Sequence, residues 1–168
     1  MKFIWISGSV NSGKSTVAAV LNEQIKKSVN IECDALRHFA THENLDNVID
    51  FILEDSIDLA KKWSERGYLP IITWPVYGEG LNKMISYSKK LSIEPVIINL
   101  IPSKETAKHN RGERELTEKE INRIEYLYET ENIGNPLMGY SIENTNQSVD
   151  ETVKEVMNYI EGIAKPYL

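Results

Sequence analysis

A lysine and two hydroxyl residues stand directly behind a glycine-rich break near the start of the chain. Residues 8–15 read GSVNSGKS, which matches the phosphate-binding pattern G-x-x-x-x-G-K-[ST] at every position. Glycines allow the tight backbone turns that direct successive N–H groups inward, where they bind anionic oxygens. A helix that begins near Gly13 would add its positive N-terminal end. These residues therefore predict a site for the phosphates of a nucleoside triphosphate.

Individual positions of this segment have separate predicted roles. Lys14 would reach the β- and γ-phosphates, Ser15 would coordinate Mg²⁺, and Thr16 would pack or contact the α-phosphate. The predicted nucleotide-binding residues are Gly8, Ser9, Val10, Asn11, Ser12, Gly13, Lys14, Ser15 and Thr16. The alternative is that this segment is an ordinary glycine-rich turn. A strand-like apolar run precedes the segment and a helical pattern follows it, and this context favours phosphate binding over an ordinary turn. We therefore expect a bound nucleoside triphosphate, with Mg²⁺ as the metal.

A carboxylate follows the second apolar run, in the stretch IECDALRHF. Asp34 lies where the second strand should return beside the first, and Arg37 follows three residues later. Arg37 could bind an anionic acceptor, or it could be an ordinary surface arginine. Asp34 also has a structural alternative, as the N-cap of a helix that starts at Ala35.

The third apolar run, LPIITW, ends at Thr73-Trp74 without a carboxylate. Switch GTPases and motor ATPases usually carry an aspartate at such a strand end, and the guanine-reading pattern N-K-x-D is also absent from the sequence. The missing carboxylate, together with the paired arginines Arg111 and Arg114 described below, favours phosphoryl transfer over switching. Trp74 and Tyr77 follow this run, where an open parallel sheet holds ligands beyond its strand ends. They would form an aromatic wall for a ring-bearing or apolar acceptor, or else pack in the core.

Two arginines, Arg111 and Arg114, lie three positions apart ahead of the capping-box sequence TEKE at 117–120. A charged tip on a well-capped helix predicts a small lid around residues 104–131. Its closure would exclude water and bring both arginines over the γ-phosphate. The alternative is a solvated connector whose arginines pair with neighbouring glutamates.

Taken together, these segments resemble small-molecule kinases of the P-loop superfamily. The pattern Asp-x-x-Arg-His that starts at Asp34 is similar to that of adenylylsulfate kinases. The stretch KHNRGERELTEKEINRIEYLYE is similar to the lid of the zeta-toxin and chloramphenicol-phosphotransferase group. One departure is Glu32-Cys33, which stands where adenylylsulfate kinases have Asp-Gly, and this counts against adenylylsulfate as the substrate.

The resemblance implies an ATP- and Mg²⁺-dependent phosphotransferase that moves the γ-phosphate to a hydroxyl of a small molecule. It gives Asp34 the role of general base or hydroxyl-orienting group beside the acceptor. Lys14, Arg111 and Arg114 would complete the catalytic set, by binding the phosphates and the charge that develops on them. The resemblance also implies a five-stranded parallel sheet in the order 2-3-1-4-5.

Five apolar runs, read as strands, must position these residues: KFIWIS, NIECD, LPIITW, EPVIINLI and GYSIENT. Helical patterns separate them, including one over about residues 45–66 and a last helix that opens with a capping box at residues 148–151. Continuous apolar strands, each followed by a helix, predict a parallel sheet with helices on both faces. The fold class is therefore a three-layer α/β domain over residues 1–168.

The charge and cysteine content of the chain limit the binding partners and the cellular location that we expect. The 168 residues carry a net charge of −6, which argues against long nucleic acids and anionic membranes. The N-terminal apolar run is too short to span a bilayer, and the single cysteine, Cys33, suits a reducing compartment, so we expect a cytoplasmic protein. The sequence shows no long apolar stripe that would need a partner, which weakly favours a monomer. Two alternatives stay open. One is a nucleotide or nucleic-acid-end kinase, and the other is a non-catalytic ATP-binding regulator in which Asp34 is only a cap.

Overall fold

The computed structural model describes residues 1–109 and 115–164. Strands and helices alternate along this part of the chain, as the apolar runs predicted. The strands are β1 Lys2–Gly8, β2 Ser28–Glu32, β3 Leu69–Thr73, β4 Glu94–Leu100 and β5 Tyr140–Ile142. The helices are α1 Lys14–Gln24, α2 Cys33–Arg37, α3 Leu45–Glu65, α4 Gly78–Lys90, α5 Lys104–Lys108, α6 Glu118–Glu129 and α7 Val149–Ala164, with a 3-10 turn at His38–Ala40.

The strands form one sheet in the order β2-β3-β1-β4-β5, and all of its pairs are parallel. The central strand β1 is fully paired on the β4 side, from Lys2 opposite Glu94 to Gly8 opposite Leu100. This confirms the predicted strand order. Because the strands are parallel, all their carboxyl ends lie at the same edge of the sheet, which we call the carboxyl edge.

Two apolar clusters, one on each face of the sheet, make up the core. Along β1, Phe3 and Trp5 point into one cluster and Ile4 and Ile6 into the other, as strand alternation requires. The first cluster includes buried residues of α3 and α4, and the second includes buried residues of α1 and α7. The predicted three-layer arrangement is therefore confirmed.

Several strands end earlier than the apolar runs indicated. The second strand was expected over residues 30–34, but β2 occupies Ser28–Glu32 and α2 begins at Cys33. Its last paired residue, Glu32, lies opposite Thr73, where β3 itself ends. Residues beyond Glu32 thus have no strand to pair with, and Cys33 is instead buried in the core as the first helical residue.

Capping chemistry fixes the starts of two helices as the sequence predicted. At α6, the Thr117 hydroxyl accepts a hydrogen bond from the Glu120 amide, and the Glu120 carboxylate accepts one from the Thr117 amide. At α7, Ser148 and Glu151 make the same reciprocal pair. Each box satisfies amides that a helix start leaves without an intrahelical partner.

Candidate active site at the carboxyl edge

The segment after β1 turns sharply at its two glycines. Gly8 has φ +150°, and a Cβ there would lie 2.5 Å from both the Leu100 carbonyl oxygen and the Ser12 Oγ. Gly13 has φ +93°, in the left-handed region that favours glycine, and it forms the N-cap position of α1. The two glycines of the motif are therefore required by the backbone path itself, as the phosphate-binding interpretation demands.

The lysine of the motif lies across the loop that precedes it. Its Nζ donates to the Ser9 carbonyl oxygen at 2.6 Å and lies 3.5 Å from the Ser12 Oγ. Ser15 and Thr16 occupy the exposed first turn of α1, where backbone N–H groups have no intrahelical acceptors. The loop, the ammonium group and the helix start thus form one cationic, donor-rich concavity.

Two side-chain amides tie this loop to neighbouring segments. Asn11, itself at φ 61°, donates from Nδ2 to the carbonyl oxygens of Ala107 and His109, at 2.9 and 2.8 Å. Asn144, buried just after β5, donates from Nδ2 to the Ser12 carbonyl oxygen at 3.0 Å. The loop is therefore held from the β4 side and from the β5 side. Sequence reasoning found Asn11 as a motif position and placed Asn144 in a loop beside the nucleotide base, but it did not predict the hydrogen bond of Asn144 to Ser12.

Asp34 is exposed in the first turn of α2, immediately after the end of β2. The N-cap of α2 is Glu32, and no side chain there makes a capping hydrogen bond. The alternative in which Asp34 caps a helix starting at Ala35 is therefore wrong, because the helix begins two residues earlier. Arg37 is the last residue of the same helix and is also exposed.

Cys33 next to this carboxylate is a buried structural residue. Burial raises the pKa of the Cys33 thiol to about 12, against a smaller lowering by the Ser56 hydroxyl, and the negative charge of Asp34 adds to the rise. The thiol is therefore protonated at neutral pH and is a poor nucleophile.

The two aromatic residues predicted beside the acceptor lie in different surroundings. Trp74 is 8% exposed and packs in the first core cluster, and its carbonyl oxygen accepts a hydrogen bond from Trp5 Nε1 at 2.9 Å. This matches its packing alternative, and an additional contact with an acceptor stays a prediction. Tyr77 is only partly buried, at the N-cap of α4. The intervening Val76 is bonded through both backbone groups to the Ser7 hydroxyl, which fixes this loop against the end of β1.

An arginine that sequence reasoning missed lies against Tyr77. Arg123 of α6 donates a hydrogen bond to the Tyr77 hydroxyl, and its guanidinium lies 5.9 Å from the Tyr77 ring centroid and 5.2 Å from that of Tyr126. The hydroxyl of Tyr126 in turn donates to Glu131 Oε1 at 2.8 Å. No pattern in the sequence pairs residues 46 positions apart, and only the folded chain brings them together.

Helix α6 is also anchored on the opposite side, by α5 and the end of β4. Lys104 pairs with Glu129 at 2.9 Å, Lys108 pairs with Glu125, and the Tyr128 hydroxyl donates to the Pro102 carbonyl oxygen. Helix α6 therefore contacts the loops that follow β3 and β4, the two strands on either side of β1. The lid arginines Arg111 and Arg114 lie outside the described residues.

The donor set present here fits Mg²⁺ in the way that nucleotide-binding sites usually hold it. Mg²⁺ commonly takes one or two protein oxygens and fills its other positions with water and substrate phosphate. The exposed Ser15 hydroxyl at the start of α1 is such an oxygen. Over residues 1–109 and 115–164, no group of three or more His, Cys, Asp or Glu side chains could hold a metal by itself.

No protein-family model and no curated protein sequence matches the chain. Solved structures do match over almost its whole length. An APS kinase from Mycobacterium tuberculosis, in complex with AMPPNP and APS, aligns with TM-score 0.67 at 16% identity, over 95% of this chain and 97% of that one. A gluconokinase from Sinorhizobium meliloti aligns with TM-score 0.68 at 16% identity, over 98% and 94%. A shikimate kinase from Aquifex aeolicus aligns with TM-score 0.59 at 20% identity, over 98% of both chains.

These alignments show a shared fold. The chain has the α/β fold of P-loop kinases, which confirms the predicted likeness to that group at the level of architecture. The matched proteins are kinases of different small molecules, so the fold by itself does not identify an acceptor. Within the described ranges, no helix has the length and apolar character needed to cross a membrane.

Proposed function

We propose that this protein is a Mg²⁺-dependent kinase that transfers the γ-phosphate of ATP to a hydroxyl group of a small molecule. One observation carries the proposal: a phosphate-binding loop at the end of β1 and an exposed carboxylate, Asp34, after β2 share the carboxyl edge of one parallel sheet. The first supplies a donor site and the second supplies a group for an acceptor hydroxyl. The kinase structures with the same fold support this interpretation.

On the donor side, the loop amides and Lys14 would bind the β- and γ-phosphates, and Ser15 would hold the metal. A Mg²⁺ ion held there would supply positive charge that offsets the negative charge developing on the transferring phosphoryl group. Arg111 and Arg114 would add positive charge over the same group. Asn11 and Asn144 would keep the loop in shape, because hydrogen bonds from their side-chain amides hold it on two sides.

On the acceptor side, β2 is separated from β1 by one strand, which places it about 10 Å away. That spacing fits a small molecule lying between Asp34 and the terminal phosphate, with Arg37 and Tyr77 beside it. A long polynucleotide is disfavoured, because the chain carries a net charge of −6.

The proposed chemical step exchanges one phosphorus–oxygen bond for another. The acceptor hydroxyl oxygen forms a bond to the γ-phosphorus while the bond from that phosphorus to the β–γ bridging oxygen breaks, and the electron pair leaves with ADP. The hydroxyl proton passes to the Asp34 carboxylate and then to solvent. A loose transition state needs little basicity, so an exposed carboxylate with an ordinary environment suffices.

The test is transfer of labelled γ-phosphate from Mg·ATP into pooled sugars, nucleosides, nucleotides, aminoglycosides, adenylylsulfate and short oligonucleotides. Asp34→Asn should lose at least about a hundredfold in transfer rate while its affinity for ATP stays the same. Asp150→Asn is the matched control, since Asp150 is also an exposed first-turn aspartate, on α7 at the β5 side of the sheet.

The same experiment separates the alternatives. Label that enters an oligonucleotide or a nucleotide rather than the other pools would favour the nucleotide or nucleic-acid-end kinase. Tight ATP binding with no transfer by the wild type into any pool would favour the non-catalytic regulator and contradict the proposal. A cytoplasmic location is part of the same proposal, because a single cysteine suits a reducing compartment.

A further inference from the structure

The cluster around Tyr77 joins the loop after β3 to helix α6. Besides Arg123, the cluster includes Glu131, whose Oε2 would lie 3.3 Å from a Cβ placed on Gly78. Gly78 has φ +50°, so both its backbone and its surroundings restrict what can stand there. Within this cluster, Arg123 contacts both the hydroxyl and the ring of Tyr77, which lies in the loop after β3.

The hydrogen bond between Arg123 and Tyr77 can run in only one direction. A guanidinium has donors and no acceptor, so the Tyr77 oxygen must accept this bond. Of the residues that the structure describes, only Arg123 hydrogen-bonds this hydroxyl. Within residues 1–109 and 115–164, no group accepts the phenolic proton, which can therefore be donated to a bound molecule.

The phenol keeps that proton at neutral pH. Burial raises the pKa of Tyr77, the positive charge of Arg123 opposes the rise, and the negative charge of Glu131 adds to it. A protonated phenol whose oxygen is already engaged as an acceptor is a directed hydrogen-bond donor.

We propose that Arg123 is a positioning residue that fixes the Tyr77 hydroxyl as a hydrogen-bond donor to the phosphoryl acceptor. The acceptor then carries, besides the hydroxyl that becomes phosphorylated, a second oxygen that accepts this bond: a hydroxyl, carbonyl or carboxylate oxygen. This inference rests on the proposed kinase function and extends it to the chemical class of the substrate.

The test compares steady-state kinetics of Tyr77→Phe, Arg123→Met, Arg123→Lys and the double variant Tyr77→Phe/Arg123→Met. The probe is whichever of adenylylsulfate, gluconate, shikimate, an aminoglycoside or a nucleoside the wild type phosphorylates fastest. Tyr77→Phe and Arg123→Met should each raise the KM for that acceptor about tenfold, with the KM for ATP unchanged. The double variant should be no worse than either single one, and Arg123→Lys should recover part of the loss.

Arg66→Met is the matched control, because Arg66 also lies over an aromatic ring, that of Trp63 at 5.2 Å, but at the C-terminal end of α3. It should leave both KM values unchanged. An unchanged acceptor KM in Tyr77→Phe, or losses that multiply in the double variant, would overturn the inference. The second result would mean that Arg123 acts independently of Tyr77.

The contact between Arg123 and Tyr77 can also be tested without measuring kinase activity, so that its failure can be distinguished from failure of the proposed function. NMR titration of ring-labelled tyrosine should show the Tyr77 pKa rising in Arg123→Met, because the lowering charge is removed, and staying in place in Arg66→Met. An unchanged Tyr77 pKa in Arg123→Met would show that Arg123 and Tyr77 are not in contact, and it would overturn the inference. If the pKa rises but the wild type phosphorylates no compound in the panel, the proposed function fails and the substrate inference fails with it.

Discussion

Asn11 illustrates how a single residue of the phosphate loop acts beyond its motif position. Its left-handed backbone shapes the loop, and its side chain reaches the last carbonyls around the C-terminal end of α5. The motif leaves this position open to any residue, so sequence reasoning assigned it to phosphate binding without a specific role. In the folded chain its amide holds the loop to the segment that follows β4.

Replacing Asn11 with glycine should therefore weaken ATP binding while leaving the fold intact. Glycine adopts the left-handed conformation without strain, so Asn11→Gly removes only the two side-chain hydrogen bonds. We expect the Kd for Mg·ATP to rise about tenfold, as measured by calorimetry. Asn132→Gly is the control, since Asn132 is also left-handed, at φ 51°, but lies in the loop after α6. Equal affinities in wild type and Asn11→Gly would show that the amide has no part in shaping the loop.

Cys33 provides a second test at the scale of one residue. Because burial raises its thiol pKa to about 12, the reactive thiolate is scarce at neutral pH, and the buried position blocks access as well. A thiol-reactive dye should label the folded protein at least about a hundredfold more slowly than the protein in denaturant. Rapid labelling of the folded protein would contradict the core position of Cys33 and the early start of α2.

At the scale of elements, the position of α6 depends on its contacts with α5 and with the loop after β3. The ion pairs of Lys104 and Lys108 hold it to α5, and Arg123 holds it to Tyr77. The apolar periodicity and the capping box predicted the helix itself, because both are local patterns. Its contacts with Tyr77 and with α5 could not be predicted, since they join side chains from separate elements.

The α5–α6 contact should weaken in acid. A hydrogen bond from Lys108, together with its charge, lowers the pKa of Glu125. Since the folded pKa lies below the ordinary one, the contact stabilises α6 above the ordinary glutamate range and is lost as pH falls through the lowered pKa. Amide exchange in α6, corrected for intrinsic rates, should lose protection below about pH 4 in the wild type. In Glu125→Gln, the protection of α6 at neutral pH should be lower than in the wild type and should change little as the pH falls. An equal loss of protection in acid in both proteins would contradict this account.

At the scale of the whole molecule, the three-layer fold with its parallel sheet was predictable, because each strand is a continuous apolar run followed by a helix. The positions at which the strands end were less predictable. Cys33 and Asp34 continue an apolar run in sequence, but β3 ends at Thr73 and leaves them no partner, so they join α2 instead. The loop over residues 8–15 could be predicted from its motif, whereas the contacts of Arg123 and Asn144 join residues far apart in the chain.

The most direct test of the kinase proposal is the fate of the γ-phosphate when the wild-type protein is given Mg·ATP and a whole-cell extract of metabolites. Phosphorus NMR distinguishes a new phosphomonoester from inorganic phosphate in the same sample. We expect the wild type to produce ADP and a phosphomonoester in equal amounts, and Asp34→Asn to produce neither at a comparable rate. If the γ-phosphate stays in ATP, or appears only as inorganic phosphate, the protein is not a small-molecule kinase.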